Sequence, residues 1–165
     1  MFRKMRRFRQ ELSQQETIEI FQRNNSGVLA VLGDDGYPYT VPIGYIFADG
    51  NLYFHTAKQG HKIDSIRNNG KASFCVVDRD EIVPKEYTTY FASAVAFGIA
   101  EIIEDETRKR EILELIAEKY APGDMEARDR EIARLWNPVC VIELKIEHMT
   151  GKAAMGIIRE KENNL

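Results

Sequence analysis

Apolar and polar positions along the chain change period several times, and each change marks an element. Ser13-x-x-Glu16 has the form of a capping box, with Ile18, Ile20 and Phe21 as the apolar stripe behind it. This predicts a helix stopped by Asn24-Asn25-Ser26-Gly27. Gly27 to Leu32 is an unbroken apolar run, and Gly33-Asp34-Asp35-Gly36 after it tolerates the positive φ of a hairpin turn. The returning strand runs from Tyr37 to Phe47. It places Tyr37, Tyr39, Val41, Ile43 and Tyr45 on one face, and Thr40, Pro42, Gly44 and Ile46 on the other. Asp49-Gly50-Asn51 turns the chain into a third strand, Asn51 to Thr56. There Leu52 and Phe54 share one face, and Tyr53 and His55 the other.

A short helix follows from about Gly60 to Asn68, with Ile63 and Ile66 inward and Asn69-Gly70 as its stop. Lys71 to Val77 reads as a strand and Asp78 to Lys85 as a polar loop. Tyr87 to Ile103 is a long β-rich run expected to bend or divide near Ala92-Ser93-Ala94 and Gly98. Glu104-Asp105-Glu106 opens a helix to about Tyr120, with Ile112, Leu113, Leu115 and Ile116 as its apolar side. A further helix spans about Met125 to Trp136. Val139 to Ile146 alternates, with Cys140, Ile142, Leu144 and Ile146 against Glu143 and Lys145, as a half-exposed final strand does. The stretch from Glu147 turns polar, and 153–165 is expected to fray. The sum is a mainly β domain of six to seven antiparallel strands in consecutive hairpins, forming a small barrel with flanking helices.

Composition narrows the function classes. With 165 residues, the chain is expected to be one domain over 1–165 with a sizeable core. A net charge of -3 argues against general nucleic-acid binding, although Arg3, Lys4, Arg6, Arg7 and Arg9 make residues 1–12 a basic leader. No apolar run approaches the roughly 20 residues of a membrane span. Cys75 and Cys140 lie inside apolar runs without C-x-x-C spacing, as small core residues do. These features together predict a cytoplasmic protein without membrane or nucleic-acid partners.

The candidate chemistry lies in Leu52–Lys62. No G-x-S-x-G, G-x-x-x-x-G-K-[ST] or G-x-G-x-x-G occurs, which removes a nucleophile elbow, a P-loop and a Rossmann site. His55 and His61 lack a carboxylate pattern that would make them a metal pair, so no metal is expected. A strand running into a glycine-containing loop and a helix start is the sequence form of an anion site. The helix offers unpaired N–H groups and the positive end of its dipole, and Lys58 and Lys62 add charge. One hairpin away stand Pro42 and Gly44. Pro42 cannot donate to a ladder, and Gly44 admits close approach to the backbone. They mark either an edge strand with a bulge or a backbone wall for a flat ligand. Tyr37, Tyr39, Tyr45, Tyr53 and Phe54 crowd the same region, so a flat aromatic ligand with a phosphate tail, such as flavin mononucleotide (FMN), would use all of these features.

The runs Tyr39-Thr40-Val41-Pro42-Ile43-Gly44-Tyr45, Asp49 to Ala57 and Gly60-His61-Lys62 resemble the pyridoxamine 5′-phosphate oxidase-related, FMN-binding split β-barrel family. The chain is most similar to its 5-nitroimidazole-resistance (Nim-type) branch. Ser93 to Ile102, Ile146-Glu147-His148-Met149-Thr150-Gly151-Lys152 and Met5-Arg6-Arg7 extend the likeness over nearly the whole chain. The resemblance implies an FMN-dependent oxidoreductase that reduces a small electron acceptor, such as a nitro group. A non-catalytic flavin- or haem-binding protein of the same fold is the alternative. It implies cofactor contacts from Val41, Pro42, Ile43, Gly44, His55, Thr56, Ala57, Lys58, Lys62 and Ser93, with His55 also in the catalytic position. It further implies a homodimer with the flavin near the subunit interface, where Trp136 is a candidate contact. Related split barrels use a deazaflavin, which stays open beside FMN. Gly44-Tyr45 replaces the branch's usual Asn-Phe and Ala94 breaks its Ser-Val pair, so the substrate is less constrained than the flavin.

Overall fold

A computed structural model describes residues 2–163, and the side chains of 2–160. The chain passes through β1 (Glu11–Leu12), α1 (Gln14–Arg23), β2 (Ser26–Leu32), β3 (Pro38–Gly44), β4 (Ile46–Ala48), β5 (Asn51–Ala57) and α2 (His61–Asn68). It continues through β6 (Lys71–Val83), β7 (Thr88–Ile102), α3 (Glu106–Tyr120), α4 (Met125–Leu135), β8 (Val139–Ala153) and α5 (Met155–Asn163). The Ser13–Glu16 capping box forms in both directions: Ser13 Oγ accepts from the Glu16 amide at 3.2 Å, and Glu16 accepts from the Ser13 amide at 2.8 Å.

All eight strands join one antiparallel sheet in the order β3-β2-β6-β7-β8-β5-β4, with β1 added alongside β8. β3 and β4 are consecutive in sequence yet lie at opposite ends of that order. The sheet therefore curls until its two ends meet, and the chain crosses the open seam at Tyr45. This is the expected split barrel. The crossing explains why the expected single strand from Tyr37 to Phe47 is two strands. Tyr45 itself is buried, and its hydroxyl donates to the Phe21 carbonyl at 2.8 Å.

The inner face carries Leu29, Val31, Leu52, Phe54, Phe74, Ala96, Ile142 and Leu144, sealed by Phe21 of α1 and Ile63 of α2. A second cluster lies outside the barrel, where Ile112, Leu113 and Ile116 of α3 and Ile132 of α4 cover Tyr53, Val139 and Val141. β8 is thus buried on both faces from Val139 to Ile142, rather than half-exposed. Among the described residues, the outer face of β2, β3 and β6 has no such cover, while on β7 Phe2 of the leader packs against Phe97. Val28 is 40% exposed, Leu32 44% and Val77 62%, beside Pro42 and Cys75.

Three further expectations change, each because pairing outweighs local polarity. Asp78–Val83 is strand instead of loop: past a bulge at Val77/Arg79 it pairs with Thr88–Ala92 in an extended arm. β7 stays one strand with Gly98 in register, and the irregularity falls on its neighbour, where β8 bulges at Glu147 opposite Phe97 and Gly98. β8 continues to Ala153, because its polar half is held between β7 and β1. The leader ends in a 3-10 turn at Phe8–Gln10 and then β1. The segment expected to fray carries α5, which buries Ile157, and residues 164–165 lie outside the described residues. Among the described residues, no helix is long and apolar enough to cross a membrane.

Candidate functional site

The anion end is assembled where β5 leaves the sheet. Gly60 is the N-cap of α2 at φ 123°, a left-handed-side conformation that costs glycine little. The first two helical amides, of His61 and Lys62, have no backbone partner among the described residues. The Lys62 ammonium donates to Thr56 Oγ1 at 2.7 Å, which holds it over the end of β5. The Lys58 amide donates to the Pro138 carbonyl at 3.2 Å, pinning the loop to the start of β8. Tyr39 of β3 stacks on the His61 ring, with centroids 4.1 Å apart, and His61 Nε2 lies 3.5 Å from Asp34.

Several positive side chains act on the interior beside this end. Burial pushes the Cys140 thiol pKa up, while Lys109, Lys62, Arg67 and Lys58 all pull it back. Cys140 is the sheet partner of Thr56, so its thiol feels positive charge near the end of β5. Lys109 is nearly fully buried, 7% exposed. Its amine donates to the Trp136 carbonyl at 2.7 Å and lies 4.3 Å from the centre of the Trp136 ring. Desolvation, followed by the charge of Lys58, lowers its pKa. Trp136 therefore closes α4 over Lys109, away from the bare outer face of the sheet. Neither Lys109 nor Arg67 figures in the sequence-derived site. The signal for Lys109 was available: 109, 112, 113 and 116 share one helical stripe, so this lysine occupies a core position.

Across the seam, Pro42 lies on an edge strand, paired with Val28 alone. Val41 and Ile43 face the inner core, so they offer an outer ligand only their backbone. The group that approaches Gly44 is the Tyr120 hydroxyl of α3. A Cβ on residue 44 would stand 2.9 Å from that oxygen. The hydroxyl accepts from the Tyr45 amide at 3.0 Å and donates to the Asn25 carbonyl at 2.5 Å. Lys119 adds a bond to the Asn24 carbonyl at 2.5 Å. The end of α3 is thus riveted to the seam.

His55 lies on the outer face of β5 and lines a cleft of about 290 Å³ under α3 and α4. Enough protein surrounds the ring, despite its exposed edge, for desolvation to lower its pKa. His55, Thr56, Ala57, Lys58 and Lys62 therefore form one neighbourhood, with Pro42 and Gly44 across the seam from it. Ser93 stands apart within one chain. It pairs with Val77 and Lys152, three strands from β3 and so on the order of 14 Å away. Among the described residues, no group of three or more His, Cys, Asp or Glu side chains gathers as a metal site would need.

An open antiparallel barrel with helices outside and a seam between consecutive strands is the split-barrel class of fold. The chain belongs to the pyridoxamine 5′-phosphate oxidase family, whose model matches residues 13–153. Similar solved structures agree. A conserved hypothetical protein from Mycobacterium tuberculosis aligns with a TM-score of 0.79 at 19% identity, over 91% of this chain and 90% of that one. A candidate 5-nitroimidazole antibiotic resistance protein from Bacteroides thetaiotaomicron gives 0.73 at 23% identity, over 87% and 86%. A FAD-binding protein from Mesorhizobium loti gives 0.61 at 26% identity, over 87% and 96%. No curated protein matches the sequence.

Proposed function

We propose that this protein binds FMN across the seam and, as a homodimer, passes electrons from the reduced flavin to a small acceptor such as a nitro group. The observation that carries this reading is the Lys62 ammonium held on Thr56 at the end of β5, with Lys58 in the same loop, beside the open amides of α2. That arrangement suits a phosphate dianion. The seam between Pro42 and His55 continues from it and offers the flat ring a backbone edge on one side and an imidazole on the other. The FAD-binding relative from Mesorhizobium loti supports a flavin in this fold. The flavin supplies the redox chemistry; the chain supplies position and charge.

Partner contacts belong on the uncovered outer face. Val28, Leu32, Pro42 and Val77 form an apolar surface continuous with the seam, so a second copy seated there would lie against the ring. Ser93 is on this face, which gives it a route to the flavin of the opposite subunit. Both cysteines are free, which suits a reducing cytoplasm.

The test is the absorbance spectrum of the purified protein, with the flavin released by heat and identified chromatographically as FMN, FAD or a deazaflavin. A colourless protein that takes up no added FMN sinks the proposal. Anaerobic addition of NADH or NADPH, then of a nitroimidazole, reads turnover. A flavin that neither nicotinamide bleaches rules out a self-sufficient reductase.

A further inference from the structure

We propose that the cleft between α3, α4 and β5 is a binding pocket for a small uncharged aromatic molecule, held by aliphatic walls and one hydrogen bond to His55. As the place of the electron acceptor, this pocket rests on the flavin reading above; as a binding site it stands on its own geometry.

The walls are Leu113, Ile116, Ile132, Leu135 and Val139. A cavity of about 290 Å³ is at the small end of ligand pockets, which suits one ring or two fused rings. Its polar groups are nearly all engaged. The Tyr120 hydroxyl is held by Asn25 and Tyr45, and the Glu131 carboxylate is held by Arg134 at 2.9 Å. His55 has no hydrogen bond or ion pair among the described residues, so the imidazole is the one side chain left to direct a ligand. Aliphatic walls and the nearby Glu131 charge disfavour a carboxylate or phosphate and favour a neutral ring with one acceptor or donor. Location links the pocket to the seam. Tyr120 lines it and touches Gly44 on one side, while His55 is the neighbour of Thr56 on the other.

The experiment uses the full chain as purified, its flavin content read from absorbance, with Leu, Ile and Val methyls labelled for NMR. Nitrobenzene is the probe and benzoate its charged counterpart. Nitrobenzene is expected to shift the methyls of Leu113, Ile116, Ile132, Leu135 and Val139 saturably, with benzoate at least tenfold weaker. Ala117→Phe and, separately, Leu135→Trp fill the cleft. Each is expected to weaken nitrobenzene at least tenfold while the circular dichroism spectrum is kept. The pocket is overturned by the absence of saturable shifts up to the solubility limit, by benzoate binding as tightly as nitrobenzene, or by affinity unchanged in a folded filled variant. Shifts of the same methyls on diluting the protein alone would assign the cleft to a second copy and also overturn it. Saturable shifts in a flavin-free protein that takes up no FMN would uphold the pocket and sink the flavin reading. Bound flavin without shifts would do the reverse.

Discussion

The Tyr120 hydroxyl occupies the space that a side chain on residue 44 would need: a Cβ there would lie 2.9 Å from it. The missing side chain is what lets α3 anchor at the seam. Gly44→Ala is expected to lower stability by about 1–3 kcal/mol through overpacking and lost hydrogen bonds. Tyr120→Phe removes the clashing atom, so the double variant should be more stable than the sum of the singles predicts. Urea unfolding of the four proteins checks this, and strict additivity would show the contact to be inert.

Lys62→Glu places a negative charge beside Thr56, where the flavin phosphate is proposed to sit. Flavin affinity should fall at least tenfold, or about 1.4 kcal/mol. Titration of the apoprotein with FMN, followed by flavin fluorescence, reads the change. Unchanged affinity would remove Lys62 from the site.

His55 makes stability depend on pH in a fixed direction. Folding lowers its pKa below the ordinary 6.5, so below pH 6.5 the unfolded chain binds more protons than the folded one. Stability contributed by the neutral ring is therefore present above pH 6.5 and is lost as pH falls through that value. Glu131 and Tyr120 share its cleft. Glu131, its pKa lowered by Arg134, stays charged through the window, and the Tyr120 pKa is raised. His55→Gln should flatten the decline in urea midpoint between pH 7 and pH 5. An identical slope in the variant would contradict the burial of this ring.

Val77→Asp and Val28→Asp put a charge on the bare outer face, 62% and 40% exposed in one chain. In the proposed dimer that charge is buried against the second copy. Sedimentation should show association weakened, with monomer at concentrations where the unaltered protein is a dimer and flavin lost in parallel. A variant that stays dimeric with full flavin would place the interface elsewhere.

Much of this fold was legible in the sequence, because its helices and tight turns are written in local chemistry. Ser13 and Glu16 announce α1, and Gly60 with Lys62 announces the start of α2. The errors fall where a distant partner decides. Arg79 to Val83 look like loop until Ala92 to Thr88 are laid beside them, and Glu147 to Lys152 look like tail until β1 and β7 flank them. At the candidate site, Thr56, Lys58 and Lys62 are close in sequence and could be grouped by eye. Lys109 and Arg67 come from separate helices, and only the folded sheet brings their charges within reach of Cys140. Gly44 reads in the sequence as a place of close approach, but the approaching group, the Tyr120 hydroxyl, comes from a helix far along the chain.

The pinning of the Lys58 amide to Pro138 has a consequence for the order of assembly. β5 finds its sheet neighbour in residues 139–144, with three helices and two long strands made in between. During synthesis the proposed phosphate end of the site cannot exist until residues 138–144 have emerged, and such distant pairing is the slow part of folding. A flavin would then meet a protein that is already finished. It would act as a lock on the completed barrel rather than as a template for it.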